Sequence, residues 1–156
     1  MQNIYILFMN NKKIKTEEII AQVARIRESA NALITSELQK RSIEGIVPAH
    51  GAALVFLFQQ KKPVPIKAVV ESIGRVKSTV TVMINTLEKY GYVQKIPCQT
   101  DNRVTYVGLT PKGRKLKKDF DEISTILREK IYGKMAKRNR VTLISLLSEI
   151  EENMCI

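Results

Sequence analysis

Apolar residues fall every third or fourth position over most of the chain, which is the spacing of helices that bury one face. In "KTEEIIAQVARIRESANALITSELQK" the positions Ile19, Val23, Ile26, Ala30 and Leu33 are separated by 4, 3, 4 and 3, the seam of a coiled-coil-like helix. Thr16, with Glu17 and Glu18 behind it, suits the start of that helix as an oxygen cap followed by an acidic first turn. The seam returns near the C-terminus in "TILREKIYGKM" and "VTLISLLSEIEENM", where Leu143, Leu147, Ile150 and Met154 are spaced 4, 3 and 4. Such stripes pack either on the chain's own core or on a second subunit, and their place at both ends makes a shared dimer interface a real expectation.

The elements between the seams are shorter. "PAHGAALVFLFQQKK" predicts a largely buried helix, "PVP" breaks the chain, and "PIKAVVESIG" predicts a second helix with Pro65 at its start and Gly74 at its end. "RVKSTVTVMINTLEKYGYV" predicts a third. Its Val80, Met83, Ile84 and Leu87 face inward, leaving Lys77, Ser78, Thr79, Thr81, Val82, Asn85 and Thr86 on or near the open side, and Gly91 closes it. Two short helices joined by about three residues form a helix-turn-helix, whose second helix fits a B-DNA major groove roughly 12 Å wide. "YVQKI" and "RVTYVGL" then predict two strands, with Pro97, Asp101 and Asn102 as turn residues between them, and Thr110 and Pro111 suit the cap and first turn of a helix through "KGRKLKKDFDEISTIL". The fold class expected is mainly α with a small β-hairpin wing.

Charge sharpens this picture. The 156 residues carry a formal charge of +11 and a pI near 9.8, which calls for an acidic partner such as nucleic acid or an anionic surface. Residues 63 to 115 hold 9 Lys or Arg against 3 Asp or Glu, whereas residues 116 to 156 hold 8 against 7, so the surplus lies in the segment with the helix-turn-helix. An arginine at a hairpin tip, Arg103, would lie beside a groove-binding helix and could enter a narrow minor groove, whose negative potential attracts it. Asp101, two residues earlier, is expected to shape the wing by pairing with Arg103 or with turn amides. Arg75, Lys77, Ser78, Thr79, Thr81, Asn85, Lys95 and Arg103 are therefore the expected DNA contacts, with Lys112 and Arg114 as further phosphate ligands.

Other chemistries find little support. Cys98 and Cys155 lie far apart without a CxxC, and the chain has one histidine, so no metal site is expected. No paired-carboxylate, nucleophile or glycine-rich phosphate motif argues for an enzyme or a cofactor. No apolar run approaches a membrane span, and "IYILFM" is short and lacks the flanks of a signal peptide, so a reduced cytoplasmic protein is the expectation. Cys98, near Lys95, could be a thiol sensor, although an inert thiol is the simpler reading. His50 could touch a pocket ligand or only satisfy backbone groups at a helix end.

With these residues in place the sequence resembles the multiple-antibiotic-resistance regulators, the MarR family of winged helix-turn-helix repressors and activators. "KSTVTVMINTLEKYGYVQKIPCQTDNRVTYVGLTPKGRKL" is similar without a gap to the family's recognition helix, wing and following helix. The family's D-x-R-x(5)-L-T-x-x-G element falls on Asp101, Arg103, Leu109, Thr110 and Gly113, and weaker similarity spans residues 17 to 153. The resemblance implies one domain over residues 1–156, with dimerisation helices at about 16–47 and 116–156 and a DNA-binding lobe at about 48–115. It also implies a homodimer on double-stranded DNA, and a small anionic or phenolic effector between the lobe and the dimerisation helices or a reactive cysteine. The chain departs from the family at Val76, where a capping Ser is common and Ser78 is the substitute expected here. It departs again at Val82 and Thr86, where arginines are common. Losing those arginines predicts an AT-leaning operator. The expected function is a repressor on a pseudo-palindromic operator, and the alternative is a winged-helix interaction module without sequence preference.

Overall fold

The computed structural model describes residues 16–101 and 103–154. The apolar segment 1–11, Asn102 of the hairpin tip and Cys155 lie outside the described residues. Among the described residues six α-helices and three strands occur in the order α1 (Ile19–Lys40), α2 (Gly51–Phe58), β1 (Val64–Pro65), α3 (Ile66–Ile73), α4 (Lys77–Lys89), β2 (Val93–Pro97), β3 (Thr105–Leu109), α5 (Pro111–Tyr132) and α6 (Lys137–Met154). No described helix is long and apolar enough to cross a membrane.

α1 starts differently from the expectation. A single 3-10 turn, Thr16–Glu18, precedes it, and the residue at the cap is Glu18, with no side-chain cap bond. At the other end Ser42 N–H donates to Gln39 O and Ile43 N–H to Leu38 O, while Ser42 takes a φ of 52°. This is the paired 5→2 and 6→1 closure of a helix end, built on a serine where glycine is the usual residue. Arg41 then fastens the end of α1 to α5. Its guanidinium pairs with Glu37 one turn back and reaches Asp119 at 3.7 Å and Glu122 at 3.6 Å.

The core collects the inward faces of α2, α3, α4 and the sheet, with Leu54, Leu57, Val69, Val80, Ile84, Leu87 and Val107 fully buried. Each such side chain contributes about 1.5–3 kcal/mol by leaving water. α5 adds Leu116 and Ile123 to the same cluster, and Phe120 meets Phe58 of α2 edge-on with ring centroids 5.4 Å apart. α5 is one unbroken helix of 22 residues, so the expected boundary at 115/116 between lobe and terminal helices falls inside an element.

The sheet has three strands in the order β1-β3-β2, not the two of the expected hairpin. β2 and β3 pair antiparallel from Val93 opposite Leu109 to Pro97 opposite Thr105, and β1 adds Val64 opposite Val107 on the far side of β3. Pro97 therefore ends β2 instead of sitting in the turn, and Arg103 belongs to the tip because β3 begins only at Thr105.

The corner that joins α4, the wing and α5 is tightly built. Gly91, at φ 75°, ends α4 through Gly91 N–H to Glu88 O and Tyr92 N–H to Leu87 O. Thr110 caps α5 by accepting from the Gly113 amide at 3.0 Å, and its hydroxyl donates to Gly91 O at 2.6 Å. A Cβ on Gly113 would lie 1.9 Å from Tyr92 O, so only glycine lets α5 approach.

Since Ser42 holds a left-handed conformation that glycine adopts without a Cβ penalty, Ser42→Gly is expected to stabilise the fold by about 0.5–1 kcal/mol. A higher urea midpoint with an unchanged slope is the measurement that checks it.

Candidate nucleic-acid interface

α3 ends at Gly74, which takes φ 61°, and α4 begins at Lys77, so the helix-turn-helix is closed by Gly74, Arg75 and Val76. Val76 stands at the cap in an extended conformation, and no side chain caps α4. Ser78 does not replace the missing cap, because the helix starts one residue before it. The inward positions are occupied as their spacing requires, with Val80, Met83, Ile84 and Leu87 all buried. The opposite face presents Lys77, Ser78, Thr79, Val82 and Asn85 to solvent, and Thr81 is half-buried beside them. Val82, 65% exposed, leaves an apolar spot in the middle of an otherwise polar face.

Hydrogen bonding divides these residues into free and committed groups. Thr81 Oγ1 donates to Lys77 O at 2.8 Å and Thr86 Oγ1 to Val82 O at 3.0 Å, so each hydroxyl proton is held by the helix and only lone pairs point outward. Lys95 of β2 is committed as well. Its Nζ lies 2.8 Å from Glu88 Oε2 and donates to Asn85 Oδ1 at 3.0 Å, while its backbone N–H donates to Glu88 Oε1 at 2.9 Å. Glu88 is thereby held below the usual carboxylate range, chiefly by the hydrogen bond from Lys95. Lys112 donates to Tyr90 O at 2.7 Å and stacks over the Tyr92 ring. Of the cations expected at DNA, Arg75, Lys77, Arg103 and Arg114 have side chains with no hydrogen bond or ion pair among the described residues.

At the wing tip Asp101 works through its carboxylate on a backbone group. Asp101 Oδ1 accepts the Arg103 amide at 2.9 Å, Val104 N–H donates to Asp101 O at 3.0 Å, and Cys98 N–H donates to Val104 O at 3.0 Å. Of the two pairings expected for Asp101, the turn amide is the one formed. The Arg103 guanidinium extends unpaired from this closed turn.

Cys98 and His50 also take definite places. The Cys98 thiol lies 3.3 Å from Thr100 Oγ1, and its pKa is pulled down by that hydroxyl and by the amides of Thr100 and Asp101, with the Asp101 charge opposing. Lys95, which the sequence suggested as the cause, contributes nothing and pairs with Glu88 instead. His50 is buried and its Nδ1 accepts the Val47 amide at 3.4 Å, the backbone role foreseen as one of its two readings. Beside it, a cavity of about 110 Å³ between α1, α2 and α5 is lined by Leu38, Ile46, Val55, Phe120, Ile123 and Ser124 among others, and His50 is not in its wall. No group of three or more metal-capable side chains occurs among the described residues.

The lobe built from α2 to β3, with an exposed polar helix beside a hairpin tipped by an unpaired arginine, is a winged helix-turn-helix. Residues 51–105, the greater part of this lobe, match the model of the MarR family. Among solved structures the chain is similar to a MarR transcriptional regulator from Methanosarcina mazei Go1, at 22% identity over 88% of this chain and 96% of that one, with a TM-score of 0.73. It is similar to MepR of S. aureus in complex with DNA, at 16% identity over 91% and 100% of the two chains and a TM-score of 0.76. It is also similar to BpsR of Bordetella bronchiseptica, whose DNA binding is regulated by 6-hydroxynicotinic acid, at 18% identity over 90% and 98% and a TM-score of 0.72. These likenesses carry the fold from α1 to α6. Of the proteins named, the first is a transcriptional regulator and the other two bind DNA.

Burial pulls the His50 pKa below its ordinary 6.5, so the folded chain resists a proton that the unfolded chain accepts. Its contribution to stability is therefore full above that ordinary value and is lost as pH falls below it. Urea unfolding from pH 8 to pH 5.5 is expected to show this decline, and His50→Gln, which cannot titrate, is expected to flatten it.

Proposed function

We propose that the chain is a sequence-specific DNA-binding transcription regulator that acts as a homodimer on a pseudo-palindromic operator, with a repressor's sign and a cytoplasmic site of action. The observation that carries this reading is the arrangement of unpaired cations. Arg75 and Lys77 stand at the start of α4, Arg103 at the wing tip and Arg114 on α5, while Lys95 and Lys112 are held by Glu88 and by the Tyr90 carbonyl. Free cations on one lobe and satisfied ones inside it suit a polyanion. In this reading α4 lies in the major groove, with Ser78, Thr79, Thr81 and Asn85 toward base edges, and Arg103 enters the minor groove.

A homodimer is supported by the terminal helices. Ile19, Ile20, Val23 and Ile26 of α1 and Val141, Ile144, Leu147 and Ile150 of α6 are exposed in the single chain, and two apolar stripes of this length are removed from water most simply by a second copy. A small-molecule effector is supported by the cavity between α1, α2 and α5, which abuts both the lobe and the first terminal helix. Footprinting on the DNA flanking its own gene tests the function. A protected inverted repeat is expected, whereas equal weak binding to any duplex would identify the winged-helix module without sequence preference.

Four free cations per subunit neutralise about eight phosphates per dimer, so log affinity is expected to fall against log salt with a slope of about −7. A slope shallower than about −3 would remove these residues from the DNA face.

Asp101→Ala opens the wing turn without deleting a cation. It is expected to weaken binding about as much as Arg103→Ala, in the range of about 1–3 kcal/mol for a lost charged contact. Tighter binding by Asp101→Ala in a gel-shift titration would mean that its charge matters more than its hydrogen bond to the turn.

A further inference from the structure

Asn85 is the one amide side chain on the exposed face of α4, able to offer a base both a donor and an acceptor from a planar group. Asparagine with a free amide pairs with adenine by accepting from N6–H and donating to N7. Here the amide is not free. An ammonium group has donors only, so the amide atom 3.0 Å from Lys95 Nζ must be the oxygen, and the two N–H groups are what remains to point away from the wing. Lys95 is kept in that position from the other side by Glu88, which grips both its ammonium and its backbone amide. Asn85 lies seven residues after Ser78 and four after Thr81, on the same face of α4.

Resting on the reading of α4 as the recognition helix, we propose that Asn85 and Lys95 form one donor-only unit that selects a guanine in each half-site, and that Glu88 is the positioning residue that sets it. Guanine is the base whose major-groove edge carries two acceptors, N7 and O6, and no donor. Adenine and cytosine each turn an amino group toward a site already full of donors, and thymine offers a single acceptor beside a methyl group. The rest of the face keeps its leaning toward A·T pairs, because Val82 suits a thymine methyl and the outward lone pairs of Thr81 suit an amino group. The operator is thus A·T-leaning with one fixed guanine on each side of its centre.

Selection from a randomised duplex library by the full chain, with all variants checked for native circular dichroism, tests this. The wild type is expected to enrich an inverted repeat with one position per half-site that prefers guanine over adenine by at least about tenfold, the scale of one good base contact. Asn85→Ala is expected to reduce that preference below about twofold at that position alone. Lys95→Met frees the amide oxygen and is expected to move the position from guanine toward adenine. Glu88→Gln releases Lys95 toward phosphate, so the salt dependence is expected to steepen by up to about two units per dimer while the guanine preference weakens. If Asn85→Ala instead erases a preference for adenine, or Lys95→Met leaves every preference unchanged, the donor unit does not exist. Should the wild type bind all duplexes alike, the recognition-helix reading fails and this inference with it. Should it select a repeat that Asn85→Ala does not alter, only this inference fails.

Discussion

Tyr92 is the point through which the lobe is held together. Its carbonyl accepts the Thr110 amide at 3.0 Å and lies where a Cβ on Gly113 would stand, so the backbone leading into β2 is pressed against the first turn of α5. Its hydroxyl donates to Glu44 O at 2.8 Å across a separation of 48 residues, and its ring lies under the Lys112 ammonium. Burial and the nearby Glu44 raise the pKa of this phenol, which keeps it a donor at any physiological pH. One residue thus fixes the end of α4, the root of the wing, the start of α5 and the loop before α2. The angle between α4 and the wing depends on it, and the spacing of their side chains follows from that angle.

Electrostatics then sort the lobe's cations without any deep ion pair. Glu88 and Lys95 are both about one-third exposed, where an isolated pair is worth little on its own. What the pair changes is position, since the same carboxylate also takes the Lys95 amide and registers β2 against α4. The wing tip obeys similar logic. Asp101 bonds to an amide and leaves the Arg103 guanidinium unneutralised, so the acid gives the tip its shape at a modest cost in local potential.

Much of this fold was legible because it follows from periodicity and end chemistry. The inward set Val80, Met83, Ile84 and Leu87 follows from 3.6 residues per turn, and Gly74, Gly91, Thr110 and Pro111 mark boundaries with residues suited to them. β1 escaped notice because two residues flanked by proline give no alternation to read, and its pairing with Val107 is set by tertiary contact. The 3-10 turn before α1 and the serine in a left-handed conformation after it are choices among near-equal local options. For the candidate site, residue types on the open face of α4 could be named from spacing, but not which of them were already engaged. Lys95 and Lys112 look like free cations in sequence, and their partners Glu88 and Tyr90 are brought to them only by the fold.

The strand order has a consequence for how copies of the chain can meet. β3 is central, and its two neighbours are the only edges of the sheet among the described residues. On one side lies β1, two residues long, with Pro63 before it and Pro65 within it, so the Val64 amide is the one N–H it has and cannot extend a ladder. On the other, β2 carries the charged Lys95 and stops at Pro97. A short proline-lined rim and a charged, proline-ended one are poor templates for a foreign strand, which guards the lobe against edge-to-edge aggregation even in a crowded cell. The β-sheet can therefore carry its arginine-tipped loop without becoming an adhesive surface.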